Sequence, residues 1–185
     1  MKNLKVPLAI ENYIDNLHKR VTEAPLDRYL KDMAGAYQDA ESVLVEDNPL
    51  VYRFWTFEPF PGGEGELAFG MTDLYPGLVG QEYFMTAGHF HRGSGGEIYV
   101  GVAGEGLLLL LTRDGELETR KVVKDTLVYI PSGWAHRMVN IGDETLRFTA
   151  FWPTGIEHDY ASIRRDGFGY RVLKTEDGPK VVKCK

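Results

Sequence analysis

The residues best suited to chemistry are two histidines one position apart, His89 and His91, followed by Glu97 and, further along the chain, by His136. Because side chains repeat with a period of two on a β-strand, both imidazoles of the His-x-His pair point to the same side. Glu97 begins a second strand-like run, and His136 begins a third after the turn Pro131-Ser132-Gly133. Neutral imidazole is a ligand for Fe, Ni, Cu and Zn, and a carboxylate adds a hard oxygen. The pattern therefore predicts a metal site on three neighbouring strands, with coordination positions left open for a substrate.

The distribution of histidine supports this interpretation. The chain has five histidines; three belong to the group just described, His158 lies in a second polar cluster, and only His18 stands apart. The alternative, a His-x-His pair that arises by chance, does not account for this clustering.

The same residues resemble the two motifs of the cupin family. The first motif is His-x-His-x(5)-Glu-x(6)-Gly over 89–104, and the second is Pro-x-Gly-x-x-His-x-x-x-Asn over 131–140. Tyr83 and Asp125 occupy positions where a glycine is expected, and the spacing from His91 to Glu97 is longer than in the commonest cupin form. The resemblance implies an all-β jelly-roll barrel with the metal inside its mouth.

Longer segments resemble one branch of the cupins, the cupin-type glucose-6-phosphate isomerases best known from archaea. The matching segments are 32–35, 49–52, 74–91, 134–144 and 155–160, so the resemblance extends over roughly residues 30–170. Within it, the loop from His91 to Glu97 is shorter than in the archaeal form, and Trp152 stands where a tyrosine is expected. The resemblance implies a metal-dependent aldose–ketose isomerase that interconverts glucose 6-phosphate and fructose 6-phosphate in glycolysis and gluconeogenesis.

The resemblance also implies a role for individual residues. One divalent ion per subunit is expected, with Fe(II) as the expected metal and Ni, Mn or Zn as alternatives; its implied ligands are His89, His91, Glu97 and His136. The implied catalytic residues are Glu97, as the base, and His158 and Tyr160, which would assist ring opening or proton transfer. The implied phosphate-binding residues are Thr72, Thr86, Gly88 and Tyr99. Ordinary β-propensity is an equal explanation for the two threonines.

The implied reaction leaves its route open. Isomerisation moves a proton between C2 and C1 through a cis-enediol, or moves a hydride directly, and both routes develop charge on O1 and O2. A divalent ion with two adjacent open positions stabilises that charge, but coordination lowers the proton affinity of Glu97 and weakens it as a base. Two other functions remain as alternatives: another metal-cupin enzyme, such as an Fe(II) dioxygenase, and a non-catalytic sugar-binding cupin, which would have no need of four metal ligands.

The length, net charge and composition of the chain restrict its domain organisation, its binding partners and its compartment. A chain of 185 residues predicts a single domain over 1–185. Its net charge of -6 argues against nucleic acid, which requires a basic surface. No stretch approaches the length of a membrane span, and the single cysteine, Cys184, excludes a disulfide within the chain, so we expect a cytoplasmic protein. We also expect a homodimer that binds a sugar phosphate, because two-fold dimers are the commonest way to cover a sheet edge and an apolar face.

The pattern of apolar residues predicts where the elements lie. Leu26 to Val45 is expected to form one or two short helices. A series of short strands separated by turn signals predicts a barrel core over about 50–153, in which Tyr83 to His91 is one strand and Leu107 to Leu111 is a buried strand. Asp114-Gly115 predicts a hairpin. A helical turn near Ala161 to Arg165 and two edge strands are expected after the barrel.

Overall fold

The larger layer of the fold is an antiparallel sheet of six strands. The computed structural model describes residues 7–20, 24–44 and 47–184, without the side chains of His18 and Arg20. The strands of this sheet, in spatial order, are β1 (Leu26–Tyr29), β2 (Leu50–Phe57), β3 (Leu67–Leu74), β12 (Leu146–Pro153), β7 (Glu97–Ala103) and β10 (Leu127–Ile130). Strand β12 pairs with both β3 and β7 along most of its length and so lies at the centre of the sheet.

Three smaller sheets complete the barrel. One contains β11 (Ala135–Asn140), β8 (Gly106–Leu111) and β9 (Leu117–Val122), in that order. Another pairs β13 (Glu157–Asp159) with β6 (Phe90–Arg92), and the last has the order β15 (Gly178–Lys183), β14 (Tyr170–Thr175), β5 (Glu82–Tyr83) and β4 (Leu78–Val79). The expectation of an all-β cupin jelly roll with short N-terminal helices agrees with this architecture.

Leucines of β8 lie at the centre of the hydrophobic core. Leu108 and Leu109 point to opposite faces of the strand, yet both are fully buried. β8 lies between β11 and β9, so its backbone is hydrogen-bonded on both edges. The predicted hairpin at Asp114-Gly115 joins β8 to β9, and Gly115 has the positive φ of 87° that such a turn requires. A run of apolar residues bounded by turns is therefore a buried strand here, as predicted.

The predicted helices over Leu26 to Val45 are only partly present. Leu26–Tyr29 forms strand β1, because it pairs with β2 in antiparallel register. A 3₁₀ helix follows over Leu30–Ala36, and α2 is a short helix over Ala40–Leu44; residue 45 lies outside the described residues. Tertiary pairing with β2 therefore overrides the helical spacing of the apolar side chains at the start of this segment.

A helix near the N-terminus covers part of the outer face of the six-stranded sheet. Helix α1 spans Tyr13–Arg20, and its Leu17 is fully buried. The Tyr13 hydroxyl lies 3.5 Å from Oγ1 of Thr149, in the central strand β12.

No helix in the described ranges has the length and apolar character needed to cross a bilayer.

Elements after the barrel close its open end. Helix α3 spans Tyr160–Asp166, as predicted for this region, and the Asp159 side chain caps it by accepting the backbone N–H of Ser162 at 3.1 Å. The two segments predicted as edge strands form one hairpin, β14–β15, with Thr175 opposite Gly178. Only β15 lies at an edge of its sheet, because β14 also pairs with β5.

A non-glycine residue with a positive φ leads to a testable prediction about the stability of the fold. Asp125, which stands where the cupin motif has glycine, is exposed and has a φ of 64°. Glycine has no steric penalty in this region, although it is also more flexible in the unfolded chain. We therefore expect Asp125→Gly to increase the free energy of unfolding by up to about 1 kcal/mol and Asp125→Ala to decrease it by a similar amount. Thermal unfolding followed by circular dichroism measures both; a lower melting temperature for the glycine variant than for the alanine variant would contradict the assigned backbone.

Candidate metal centre and active-site cavity

Four buried side chains converge inside the barrel. His89, His91, Glu97 and His136 each offer one donor atom, and the four atoms lie within 4.8 Å of one another. None of the four residues is more than 9% exposed. The structure thus brings together all four residues that the sequence predicted as metal ligands.

The convergence depends on the pairing of the chain before β6 with strand β11. His89 and His136 form an antiparallel bridge, in which each backbone N–H donates to the other's carbonyl, at 3.3 Å and 3.1 Å. His91 lies in β6, two residues further along, and Glu97 is the first residue of β7. Thus the two motifs meet directly through main-chain hydrogen bonds.

The predicted continuous strand from Tyr83 to His91 is interrupted by an extra residue. Met85 pairs with Val139 and His89 with His136, so four steps on one strand face three on the other. The irregularity includes Gly88, whose φ is 73°; a Cβ there would lie 3.1 Å from the His136 carbonyl oxygen. This bulge shifts the alternation of side chains and places His89 opposite His136.

The donor atoms lack the hydrogen bonds that buried polar atoms normally make. Nε2 of all three imidazoles and Oε2 of Glu97 are buried without a hydrogen-bond partner in the described part of the chain. Oε2 of Glu97 lies 3.1 Å from Nε2 of His91 and 3.0 Å from Nε2 of His136. A buried polar atom without a hydrogen-bond partner raises the free energy of the folded state unless another group binds it. Three imidazole nitrogens and one carboxylate oxygen aimed at one point fit a divalent transition metal.

The surroundings hold two of these donors, His89 and Glu97, in the protonation states that a metal needs. Burial, with the neighbouring imidazoles His136, His158 and His91, lowers the pKa of His89 well below its usual value. Burial alone would raise the pKa of Glu97, but His136 and His91 outweigh it and lower that pKa to about 2. At neutral pH the set therefore offers neutral His89 and an ionised Glu97, the forms that coordinate metals.

A cavity of about 740 Å³ extends from these residues. The predicted substrate-binding and catalytic residues all line it: Thr72, Thr86, Gly88, Tyr99, Glu97, His158 and Tyr160. His89 and His136 also line the cavity, whereas His91 completes the donor group from outside the lining. The cavity therefore gives a small molecule direct access to the donor group.

His158 lies near the donors on β13, a strand that the sequence did not predict, and Tyr160 follows as the first residue of α3. β13 pairs with β6 so that His158 lies opposite His91, and the His158 ring is 4.4 Å from that of His89. Burial lowers the pKa of His158 to about 4 and raises the pKa of Tyr160. At neutral pH His158 is thus a neutral imidazole and Tyr160 a protonated hydroxyl.

The cavity residues that the sequence analysis did not identify include Arg28, Tyr52 and Arg137. Arg28 falls within the segment predicted to be helical, so the sequence did not indicate that it lies on a strand, β1, whose inner face lines the cavity. Arg137 did carry a signal, since a charged residue between His136 and Met138 is unusual in a buried strand. Arg92, the last residue of β6, is exposed and lies within 4.0 Å of the carboxylates of Glu157 and Asp159, outside the cavity lining.

Comparison with known proteins shows to which family the chain belongs. The family model described as glucose-6-phosphate isomerase matches residues 27–184 of this chain. The chain belongs to the glucose-6-phosphate isomerase family. The glucose-6-phosphate isomerase of Thermococcus kodakarensis is 42% identical over 160 residues, 85% of this chain and 84% of that protein. That of Pyrococcus furiosus is 43% identical over 159 residues, 84% of each chain.

The chain also resembles a solved structure that is more distant in sequence than these relatives. Oxalate decarboxylase from Bacillus subtilis is 20% identical, with a TM-score of 0.46 over 56% of this chain and 26% of that chain. At that distance the likeness has no bearing on substrate or reaction.

The donor group predicts a clear difference between two neighbouring histidines. His136→Ala removes one of four ligands, so we expect the metal affinity to fall by more than the roughly 10–100-fold typical of losing an outer hydrogen-bond partner. His158→Ala is the matched control, because it removes an imidazole from the same cavity that is outside the four-donor group; we expect it to retain the metal. Elemental analysis after dialysis measures both, and equal metal content in the two variants would contradict the assigned ligand set.

Proposed function

We propose that this chain catalyses the interconversion of glucose 6-phosphate and fructose 6-phosphate. The observation that carries this proposal is the buried His₃Glu donor group at the wall of a cavity, in a member of the glucose-6-phosphate isomerase family. In this proposal the sugar phosphate lies in the cavity with its C1–C2 end at the donor group and its phosphate further along.

The donor group would hold one divalent ion per subunit. Fe(II) is the metal we propose, with Ni, Mn or Zn as alternatives, since imidazole and carboxylate ligands suit all of these ions. When bound, such an ion supplies Lewis-acid stabilisation of the charge that develops on O1 and O2 of the sugar. The protein's part is to orient the sugar and to transfer protons.

Glu97 is the proposed base of the proton route. Both of its contacts with imidazoles are made by Oε2, which leaves Oε1 available to accept the proton from C1 or C2. Since the pKa of Glu97 is low, it is a weak base, and a hydride shift remains the alternative route. In that route Glu97 acts only as a ligand.

His158 and Tyr160 are proposed to assist ring opening and proton transfer among the sugar oxygens. The Nε2 atom of His158 is buried without a hydrogen-bond partner, and the Tyr160 ring lies 4.8 Å from that of His89. A neutral imidazole accepts a proton from a sugar hydroxyl, and a phenolic hydroxyl donates one. The two side chains therefore supply an acceptor and a donor on the cavity side of the ligands.

The substrate phosphate is proposed to contact Thr72, Thr86, Gly88 and Tyr99. Oγ1 of Thr86 accepts the N–H of Met138 at 3.1 Å, which leaves the hydroxyl proton free to donate to an anion. Burial raises the pKa of Tyr99 well above its usual value, so its hydroxyl also remains a donor. Gly88 allows the backbone to approach a ligand closely, because it has no side chain.

Activity with and without metal tests the proposed function. The enzyme should convert fructose 6-phosphate to glucose 6-phosphate, detected by coupled reduction of NADP by glucose-6-phosphate dehydrogenase. A chelator followed by desalting should abolish turnover, and Fe(II) should restore it, because the donor group would be incomplete without an ion. Full activity after verified metal removal, or oxygen consumption with a sugar substrate, would contradict a metal-dependent isomerase.

A homodimer in the cytoplasm is the proposed working form. Cys184 is the single cysteine of the chain, which fits a reducing compartment. Part of the outer face of the large sheet is apolar: the Phe57 and Phe69 rings are 5.2 Å apart, and Leu127 and Tyr129 on the edge strand β10 are 62% and 61% exposed. A second copy would cover this face and edge.

Light scattering tests the homodimer. We expect twice the mass of the chain at micromolar concentration, and a shift toward the monomer for Leu127→Lys, because a charge on an exposed edge opposes pairing. A monomeric mass for the unmodified protein would exclude the dimer.

A further inference from the structure

A buried arginine with few partners lines the same cavity. Arg137 is 3% exposed, and no carboxylate of the described residues lies within ion-pairing distance of it. Its Nη2 donates to the Ala87 carbonyl at 2.7 Å, and its guanidinium lies 4.6 Å from the ring centre of Phe168. Its Nε is buried without a hydrogen-bond partner. One carbonyl and one ring face do not replace the water that this cation loses on burial.

A second arginine approaches the same region from the edge of the large sheet. Arg28 on β1 lies directly opposite Tyr52 on β2, so the two side chains share the inner face of the sheet. Both line the cavity. Burial raises the pKa of Tyr52, whereas Arg28, the Ala87 backbone and Arg137 act to lower it. Arg137 borders this region from β11, because its Nη2 donates to the Ala87 carbonyl and a Cβ on Gly88 would lie 3.2 Å from its Nε.

The other charged groups of the lining have partners or are exposed. Arg171 donates to Oε1 of Gln38 at 2.8 Å and lies 3.3 Å from the Glu82 carboxylate, and Arg164 is exposed. Among the acids, Asp32 accepts the backbone N–H of Tyr29, and Asp166 pairs with Arg165. Arg28 and Arg137 are the two lining cations that remain for an anion, within the ranges that the structure describes.

We propose that Arg28 and Arg137 bind the phosphate group of the substrate between them, beside Tyr52 and the Thr86–Gly88 segment. This inference rests on the proposed function for the identity of the sugar phosphate, but the anion subsite itself does not. Three features of the place suit a dianion: two guanidinium groups, the Tyr52 hydroxyl, and a backbone that Gly88 leaves accessible. The hydroxyls of Thr72 and Thr86 then supplement a charged subsite instead of forming a neutral one.

The proposed subsite also explains why a charged side chain, that of Arg137, is buried with so few partners. A guanidinium group remains protonated at neutral pH inside a protein. A phosphate would supply the oxygen acceptors that its guanidinium lacks. An unphosphorylated sugar would leave the same cation unpaired, so the subsite discriminates against it.

Calorimetric titration of the metal-loaded enzyme tests the subsite directly. The probes are inorganic phosphate, fructose 6-phosphate and fructose, and the variants are Arg28→Met, Arg28→Lys, Arg137→Lys and Thr72→Val. Arg120→Met is the control for loss of one positive charge, because Arg120 is exposed on β9 and outside the cavity. Arg137→Lys is used because a larger change could disturb the Ala87 contact; circular dichroism and metal content show whether each variant is folded and loaded.

Loss of Arg28 should weaken binding of inorganic phosphate and of fructose 6-phosphate by about 10–100-fold, the range for hydrogen bonds to charged groups. Thr72→Val, which removes no charge, should have a smaller effect, and Arg120→Met should change binding by less than about twofold. The Michaelis constant should rise in parallel while turnover changes little, since the phosphate lies away from the reacting carbons. Binding of fructose should not respond to Arg28→Met.

Two results would overturn the subsite: equal phosphate affinity for the unmodified enzyme and Arg28→Met, or equal affinity of the unmodified enzyme for fructose and fructose 6-phosphate. Failure of the proposed function has a different signature, namely no isomerisation by the unmodified enzyme even though phosphate binding still depends on Arg28. The same titrations therefore separate the two proposals.

Discussion

The antiparallel bridge between His89 and His136 is the contact on which the site depends. It is made by backbone atoms, so it fixes the distance between the two motifs independently of any metal. The bulge at Gly88 then determines which side chain faces inward. A shift of one residue in this pairing would reverse every side chain of the strand. The imidazole of His89 would then leave the donor group, while Ala87 or Gly88 would offer nothing in its place.

Much of this site could be predicted because its chemistry is local in sequence. His89 and His91 belong to one short motif. Each of the other two donors lies at the start of a strand that follows a loop or turn, with Glu97 first in β7 and His136 second in β11. The strand formed by Leu107 to Leu111 could also be predicted, since an apolar run between turn signals is too short for a buried helix. For these elements, residue type and spacing decide the structure with little help from distant contacts.

What could not be predicted depends on long-range pairing. Leu26–Tyr29 has helical spacing of its apolar residues with the segment that follows, but it becomes a strand because β2 offers an unpaired edge. The bulge at Gly88 arises from the register against β11, and His158 is positioned by the short strand β13 against β6. Three-residue strands have no reliable pattern of their own. The two arginines of the proposed anion subsite were missed for the same reason, since Arg28 and Arg137 line one cavity only once β1 and β11 are both in place.

Segments outside the barrel complete the cavity, and one buried group joins them. Oε1 of Glu82 in β5 accepts the N–H of Gln38 at 2.7 Å, and its Oε2 lies 3.3 Å from Nε of Arg171 in β14. Arg171 in turn donates to the Gln38 side chain at 2.8 Å. This junction holds the segment after the 3₁₀ helix and the C-terminal hairpin against β5, close to where the chain continues toward His89. The 3₁₀ helix contributes Met33 to the cavity lining, and β14 contributes Tyr170. The cavity thus depends on an ion pair between elements far apart in sequence, and a barrel core alone would leave one side of it open to solvent.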